Sequence, residues 1–150
     1  MEDLSLHILD IAENSLRAHA ENVVIRILEE PEKDLFTLEI EDDGTGMDEK
    51  TLGKVLDPFF TTKAEKRVGL GLSLLNQAAR ESGGEFKIES GAAAGTKIKA
   101  TFKFSHPDRK PLGDVAATLE TLLVANPGVN FTYEHKKEGK VYRLSSRENT

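Results

Sequence analysis

Apolar residues recur along this chain first at a helical period, then at a strand period, then at a helical period again. Over residues 4–20, Ile8, Leu9, Ile11, Ala12 and Leu16 gather on one broad face when placed at about 100° per residue. Asp10, Asn14 and Arg17 fall together on the opposite face with His7 beside them, because positions i, i+4 and i+7 align. The segment predicts an amphipathic helix presenting a carboxylate, an amide and a guanidinium on its open side. Two runs of period two follow, residues 23–29 and 35–42, joined by a polar turn at 31–34. In the second run Phe36, Leu38 and Ile40 alternate, so Asp42 continues their face just where the strand ends. A carboxylate on an apolar face is costly unless a partner satisfies it there.

Gly44, Thr45 and Gly46 break that strand, and residues 48–56 read as a short helix followed by a loop over 57–67. Residues 69–82 enter a helix through glycines, with Leu72, Leu75, Ala78 and Ala79 on one face and Gly83-Gly84 as its stop. Residues 85–90 and 96–104 predict two strands around a Gly/Ala turn, supported by the alternation of Ile98, Ala100, Phe102 and Phe104. After Pro107 the character shifts. Residues 112–124 predict an amphipathic helix closed by Asn126-Pro127-Gly128, and residues 129–135 and 140–144 a hairpin around 137–139. The organisation is therefore a unit over 1–104 and an appended helix and hairpin over 105–150, packed on the same domain.

Composition narrows the function classes. A length of 150 residues with 38% hydrophobic positions suits one domain with one core. The net charge of −6 argues against nucleic-acid binding, which wants clustered cations. Without cysteine, neither a disulfide framework nor a thiolate metal site is available. The acidic start lacks the basic n-region and apolar run of a signal peptide. No apolar stretch approaches the ~20 residues that span a bilayer. A cytoplasmic chain without membrane or nucleic-acid partners is expected. His7, His19, His106 and His135 offer no i, i+4 pair, so an imidazole metal site is not expected.

Four short motifs carry the chemistry. They are Asp10-Ile11-Ala12-Glu13-Asn14-Ser15-Leu16-Arg17; Asp42-Asp43-Gly44-Thr45-Gly46; Asp57-Pro58-Phe59-Phe60-Thr61-Thr62-Lys63 with Val68-Gly69-Leu70-Gly71-Leu72-Ser73; and Gly95-Thr96. Singly each is weak, since Asp-Gly suits any hairpin and a lone Gly-x-Gly means little. In this order, on this succession of elements, they resemble the GHKL ATPase family over roughly residues 4–104. The resemblance implies an α+β Bergerat fold: a two-layer α/β sandwich, its mixed sheet covered by helices on one face, here extended by the C-terminal helix and hairpin.

Residue roles follow from the resemblance. Asn14 takes the place of the asparagine that ligates Mg²⁺ on the phosphates, which suits a metal preferring hard oxygen ligands. Arg17 stands at a phosphate-contacting position, with a solvated helix arginine as the other reading. Asp10 stands where gyrase-like ATPases and anti-sigma kinases place a carboxylate that polarises the nucleophile, although it is one methylene shorter than the usual Glu. Asp42 accepts from the adenine amine, Gly44, Gly46 and Met47 line the base, and Thr96 reaches it through water. Asp43 points the other way as a solvated neighbour. Gly69, Leu70, Gly71 and Leu72 form the helix start that receives phosphate, and Lys63 reaches the γ-phosphate. The spacer at 64–67 implies a small lid, and one of Phe59 and Phe60 reads as core.

A dimerising helical hairpin bearing a phosphoacceptor histidine does not fit in this length, and His7 lacks the acceptor context. The resemblance thus implies an ATP- and Mg²⁺-dependent kinase or ATPase acting on a separate protein: a response regulator, a sigma or anti-sigma-type protein, or another phosphoacceptor. The alternative is a non-catalytic module that senses ATP or ADP and changes its affinity for a partner, with a homodimer open in either case. Lys136, Lys137, Lys140, Arg143 and Arg147 make the hairpin basic, as a guarded edge or as a contact for an acidic partner.

Overall fold

The computed structural model describes residues 4–46, 72, 74–91, 95–106 and 112–145. Helix α1 spans Leu4–Arg17, turning Leu4, Ile8, Ile11 and Ala12 inward. It ends before residue 20 because His19 takes left-handed backbone, φ 62°. The Ala20 N–H then donates to Ser15 O at 3.1 Å and the His19 N–H to Leu16 O at 3.0 Å, the paired bonds of a Schellman stop. His7, expected beside the polar face, is instead buried at 2% exposure.

Strand β1 (Asn22–Glu30) and strand β2 (Leu35–Asp42) are joined by a 3₁₀ turn, Pro31–Lys33. Helix α2 covers residues 74–81, and strands β3 (Phe86–Gly91) and β4 (Gly95–Lys103) follow it. Helix α3 spans Val115–Ala125, starting later than the apolar pattern predicts. Asp114 accounts for the shift: its Oδ1 accepts from the Ala117 N–H at 3.0 Å, capping a helix that Gly113 enters at φ 78°. Strands β5 (Asn130–Lys137) and β6 (Lys140–Ser145) close the described chain. The helix expected at 48–56 and the loop at 57–67 lie outside the described residues.

The strands form one six-stranded sheet in the order β3-β4-β2-β1-β5-β6. Every neighbouring pair is antiparallel except β1 and β5, which run parallel with Asn22 opposite Asn130. A parallel neighbour needs a crossover, and the segment carrying α3 supplies it. The C-terminal hairpin therefore continues the sheet. Val23, Ile25 and Ile27 of β1, Phe36, Leu38 and Ile40 of β2, Ile98, Ala100 and Phe102 of β4, and Phe131 and Tyr133 of β5 are all buried. They meet the apolar faces of the three helices in one core, where Phe36 and Phe102 pack edge to face at 5.8 Å. The opposite sheet face is charged, with Arg26 bonded to Glu41 at 3.2 Å across β1 and β2.

At the far end of the inner face, His135 Nε2 lies 2.6 Å from Glu29 Oε2, and its Nδ1 shares a 3.1 Å hydrogen bond with Tyr133. Burial, aided by Tyr142 and Glu29, pushes the Tyr133 phenol up to about 12, so it stays protonated at neutral pH. Among the described residues no helix is long and apolar enough to cross a membrane. Removing the Phe102 ring from this core, as Phe102→Ala, is expected to cost about 3–5 kcal/mol in a urea unfolding titration. A loss below ~1 kcal/mol would show that the ring pair does not anchor the two layers.

Candidate functional site

The site gathers where α1 crosses the end of β2. Asp42 is the last residue of β2, on the same face as Phe36, Leu38 and Ile40. Its carboxylate is satisfied on both oxygens. Ser15 Oγ donates to Oδ2 at 2.6 Å, and the Gly44 N–H donates to Oδ1 at 2.9 Å. Ser15 is itself 2% exposed, so a buried hydroxyl supplies the partner that an acid on an apolar face demands. The Ser15 proton has a second acceptor within reach, Ile11 O at 3.4 Å, and the charged, shorter contact wins it.

Next to Asp42 in the register stands Thr96, and next to Thr96 stands Ser90, so three polar side chains form a row across β2, β4 and β3. The Ser90 and Thr96 hydroxyls are 2.9 Å apart, and Ser90 Oγ also donates to Gly95 O at 3.1 Å. An open cavity of about 360 Å³ sits over this sheet end, lined by Glu41, Asp42, Glu89, Ser90, Gly91, Gly95, Thr96 and Lys97. Its volume falls in the range of small-molecule sites.

The glycines expected at the site have steric reasons for being there. A Cβ on Gly44 would stand 2.8 Å from Ala18 O, against the C-terminal end of α1, while the Thr45 N–H donates to that same oxygen at 2.9 Å. Gly46 has φ 70°, and a Cβ there would overlap the Gly91 carbonyl oxygen. The turn after β2 is thus clamped between α1 and the β3–β4 connection.

Asn14 immediately precedes Ser15 on α1, so the expected amide stands beside the residue that holds the expected acid, although no α1 residue lines the cavity. Asn14 Oδ1 accepts from Arg17 Nη1 at 2.9 Å, and Arg17 Nη2 lies 3.8 Å from Glu13. Asn14 Nδ2 is buried and has no partner among the described residues. Asp10 is exposed one turn earlier on the same helix. Leu72 is 2% exposed and belongs to the core. Met47, Lys63, Gly69, Leu70 and Gly71 lie outside the described residues, as do Phe59 and Phe60.

Asp43 is exposed, as expected, and has a second role that the sequence pattern did not show. It is a fastening point. Oδ1 accepts from the backbone N–H groups of Glu21 and Asn22, both at 2.8 Å, and Oδ2 accepts from Asn22 Nδ2 at 2.7 Å. Asn22 Oδ1 in turn accepts from Asn130 Nδ2 at 3.1 Å, so the network reaches β5. The pattern that placed Asp43 on the outer side could not show that the start of β1 offers three donors there. Ser15 and Ser90 were also missed as site residues, although Ser15 falls on the apolar side of the α1 wheel, where a hydroxyl needs an acceptor.

This architecture, a mixed sheet with helices on one face and a half-buried acid between the first helix and the second strand, defines an α+β nucleotide-binding class. The family described as histidine kinase-, DNA gyrase B- and HSP90-like ATPase matches residues 2–106, and the chain belongs to it. It is an ATP-binding domain of the GHKL type. A putative sensor protein of Shewanella frigidimarina is 42% identical over 72 residues, 47% of this chain and 11% of that protein. Sensor kinase CckA of Brucella abortus is 41% identical over 70 residues, 46% of this chain and 7% of that protein. The chain thus spans only a small part of the length of these curated relatives. Among solved structures, the N-terminal domain of a DNA repair protein superposes with TM-score 0.65 at 14% identity, covering 99% of this chain and 56% of that one. The MutL ATPase domain of Aquifex aeolicus complexed with ADP gives TM-score 0.56 at 20% identity, covering 96% and 64%. At these identities the structural matches speak for the fold alone.

Two outcomes test the clamp. The amide of the Asn22 side chain, then the Asn22 backbone N–H, hold the Asp43 carboxyl below its ordinary 3.8, against a smaller opposing effect of burial. A carboxyl depressed in the folded state contributes stability that is complete above that value and drains away as pH falls through the lower folded one. Melting temperatures followed from about pH 6 to pH 3 should therefore fall more gently in Asp43→Asn than in the parent, from a lower starting point. Parallel curves would remove Asp43 from the acid transition. Gly46→Ala should lower the melting temperature by more than an exposed-loop substitution does, roughly 1–3 kcal/mol, from strain and overlap together.

Proposed function

We propose that this site binds ATP with Mg²⁺ and passes the γ-phosphoryl group to a separate protein, a response regulator, a sigma or anti-sigma-type protein or another phosphoacceptor. One observation carries the reading: the Asp42 carboxylate is half-buried, oriented by Ser15 and Gly44, and lines the cavity beside Thr96. Each carboxylate oxygen has a lone pair beyond the one already used, so Asp42 can still accept from an exocyclic amine. Thr96 and Ser90 add hydroxyls beside it, and Gly44, Gly46 and Met47 admit the base.

On α1, Asn14 fits a divalent cation in its chemistry. A half-turn of its amide presents oxygen where the unpartnered buried nitrogen now stands. A cation held there would neutralise phosphate charge. Among the described residues Arg17 is paired with groups on its own helix alone, and those exposed ties can yield to phosphate at little cost. Lys63 and the segment Gly69, Leu70, Gly71 complete the phosphate side in this reading, with Leu72 contributing backbone alone because its side chain is in the core. Asp10 orients the hydroxyl or water nucleophile. Residues 1–104 form the catalytic unit, residues 105–150 its extension, and the cytoplasm its setting.

Calorimetry with ATP, with and without Mg²⁺, tests this directly. Asp42→Asn should weaken ATP binding by roughly 10- to 150-fold, the worth of a charge-assisted hydrogen bond, while the protein stays folded by circular dichroism. Ser15→Ala should weaken it by only about five- to tenfold. Asp10→Asn should leave ATP affinity unchanged and reduce phosphate transfer or release by about 10²- to 10⁴-fold. Unaltered affinity in a folded Asp42→Asn protein would overturn the assignment of the base site.

A further inference from the structure

We propose that the free edge of β6 takes an acidic, extended segment of a protein partner as an additional strand of the sheet. The turn between β5 and β6 is the two-residue pair Glu138-Gly139, both at positive φ, 50° and 80°. A turn of that kind closes on a hydrogen-bonded pair, here Lys137 with Lys140. Lys140, Tyr142 and Leu144 then direct their backbone groups to β5, and Val141, Arg143 and Ser145 direct theirs outward. Among the described residues β6 is the last strand on its side, so that outward row meets no other strand.

The side chains around this row suit a ligand better than solvent. Val141 is 58% exposed and Tyr142 51% exposed, on opposite faces of one short strand. Residues 130–145 carry the cations Lys136, Lys137, Lys140 and Arg143 against only Glu134 and Glu138, in a chain of net charge −6. Glu134 is already held by Lys136 and Arg143, each at 3.2 Å, and those cations keep its carboxyl below the ordinary range. Lys137 and Lys140 face each other across the hairpin, and neither has an ion-pair partner among the described residues. Like charges directly opposite are destabilising, and an incoming carboxylate relieves them.

The same charges argue against a second copy as occupant. Antiparallel pairing of two β6 strands would bring Lys140 and Arg143 of both chains to one seam. An acidic strand meets the outward backbone row and the cations together, as strand addition requires.

The test is fluorescence anisotropy of the whole chain with a labelled ten-residue peptide alternating Glu and Val, beside a Lys-Val peptide as its charge-reversed control. Saturable binding of the Glu-Val peptide alone is expected, weakening at least about fivefold between roughly 50 and 500 mM salt. Val141→Pro removes an outward N–H and leaves the β5 bonds in place, so it should weaken binding about tenfold or more. The double variant Lys137→Gln with Lys140→Gln keeps the backbone intact and should weaken it about fivefold or more. Equal binding of both peptides, undiminished binding by a folded Val141→Pro protein, or no saturation up to about 1 mM would overturn the proposal. So would a dimer in analytical ultracentrifugation that Val141→Pro abolishes, since the edge would then belong to a second copy. None of these readings depends on ATP.

Discussion

The bond from the Ser15 hydroxyl to the Asp42 carboxylate fixes the geometry on which the rest of the site depends. It ties the last turn of α1 to the end of β2 at 2.6 Å, and together with the Gly44 N–H on the other oxygen it orients the carboxylate. Neither group could be buried alone. An unpartnered hydroxyl costs about 1–3 kcal/mol and an unpartnered carboxylate more, so each is the condition for the other's burial. The turn that follows is compact because Gly44 and Gly46 let backbone approach backbone on both sides.

Asp43 performs the complementary task in the orthogonal direction. Its three acceptor bonds fasten the β2 end to the start of β1, and Asn22 hands the network on to Asn130 at the start of β5. The adjacent acids therefore divide the work by strand parity: the inner one faces the cavity, the outer one locks three strands in register. Through that lock the C-terminal hairpin is mechanically continuous with the site, although its own distinctive chemistry lies at the far edge of the sheet.

Much of this was legible in the sequence because period and parity are local. The alternation of Phe36, Leu38 and Ile40 was enough to place Asp42 inward, and the α1 wheel was enough to put Asp10, Asn14 and Arg17 on one open face. Pairings between distant segments were not legible. Nothing local marks β5 as the parallel neighbour of β1, or Asn22 as the donor waiting for Asp43. Helix ends slipped for a related reason. The apolar pattern of α3 runs back to Leu112, but Asp114 competes for the first free N–H groups and starts the helix at Val115. On α1, the stop at His19 is left-handed without being a glycine, so the usual signal was missing.

The surroundings of Asp42 and of Asn14 differ in how firmly they are set. Around Asp42 both carboxylate oxygens are bonded, and Gly44 and Gly46 leave no room for a side chain. Around Asn14 the ties are exposed and weak: Arg17 and Glu13 are 47% and 45% exposed and 3.8 Å apart, a separation at which an ion pair in water contributes well under 1 kcal/mol. On the proposed reading, the base would enter a preformed seat, whereas the half-turn of the Asn14 amide would release Arg17 to the phosphates. Such a division favours discrimination at the purine and adaptability at the triphosphate. On that reading α1 holds a fixed group and an adjustable one side by side, at Ser15 and Asn14.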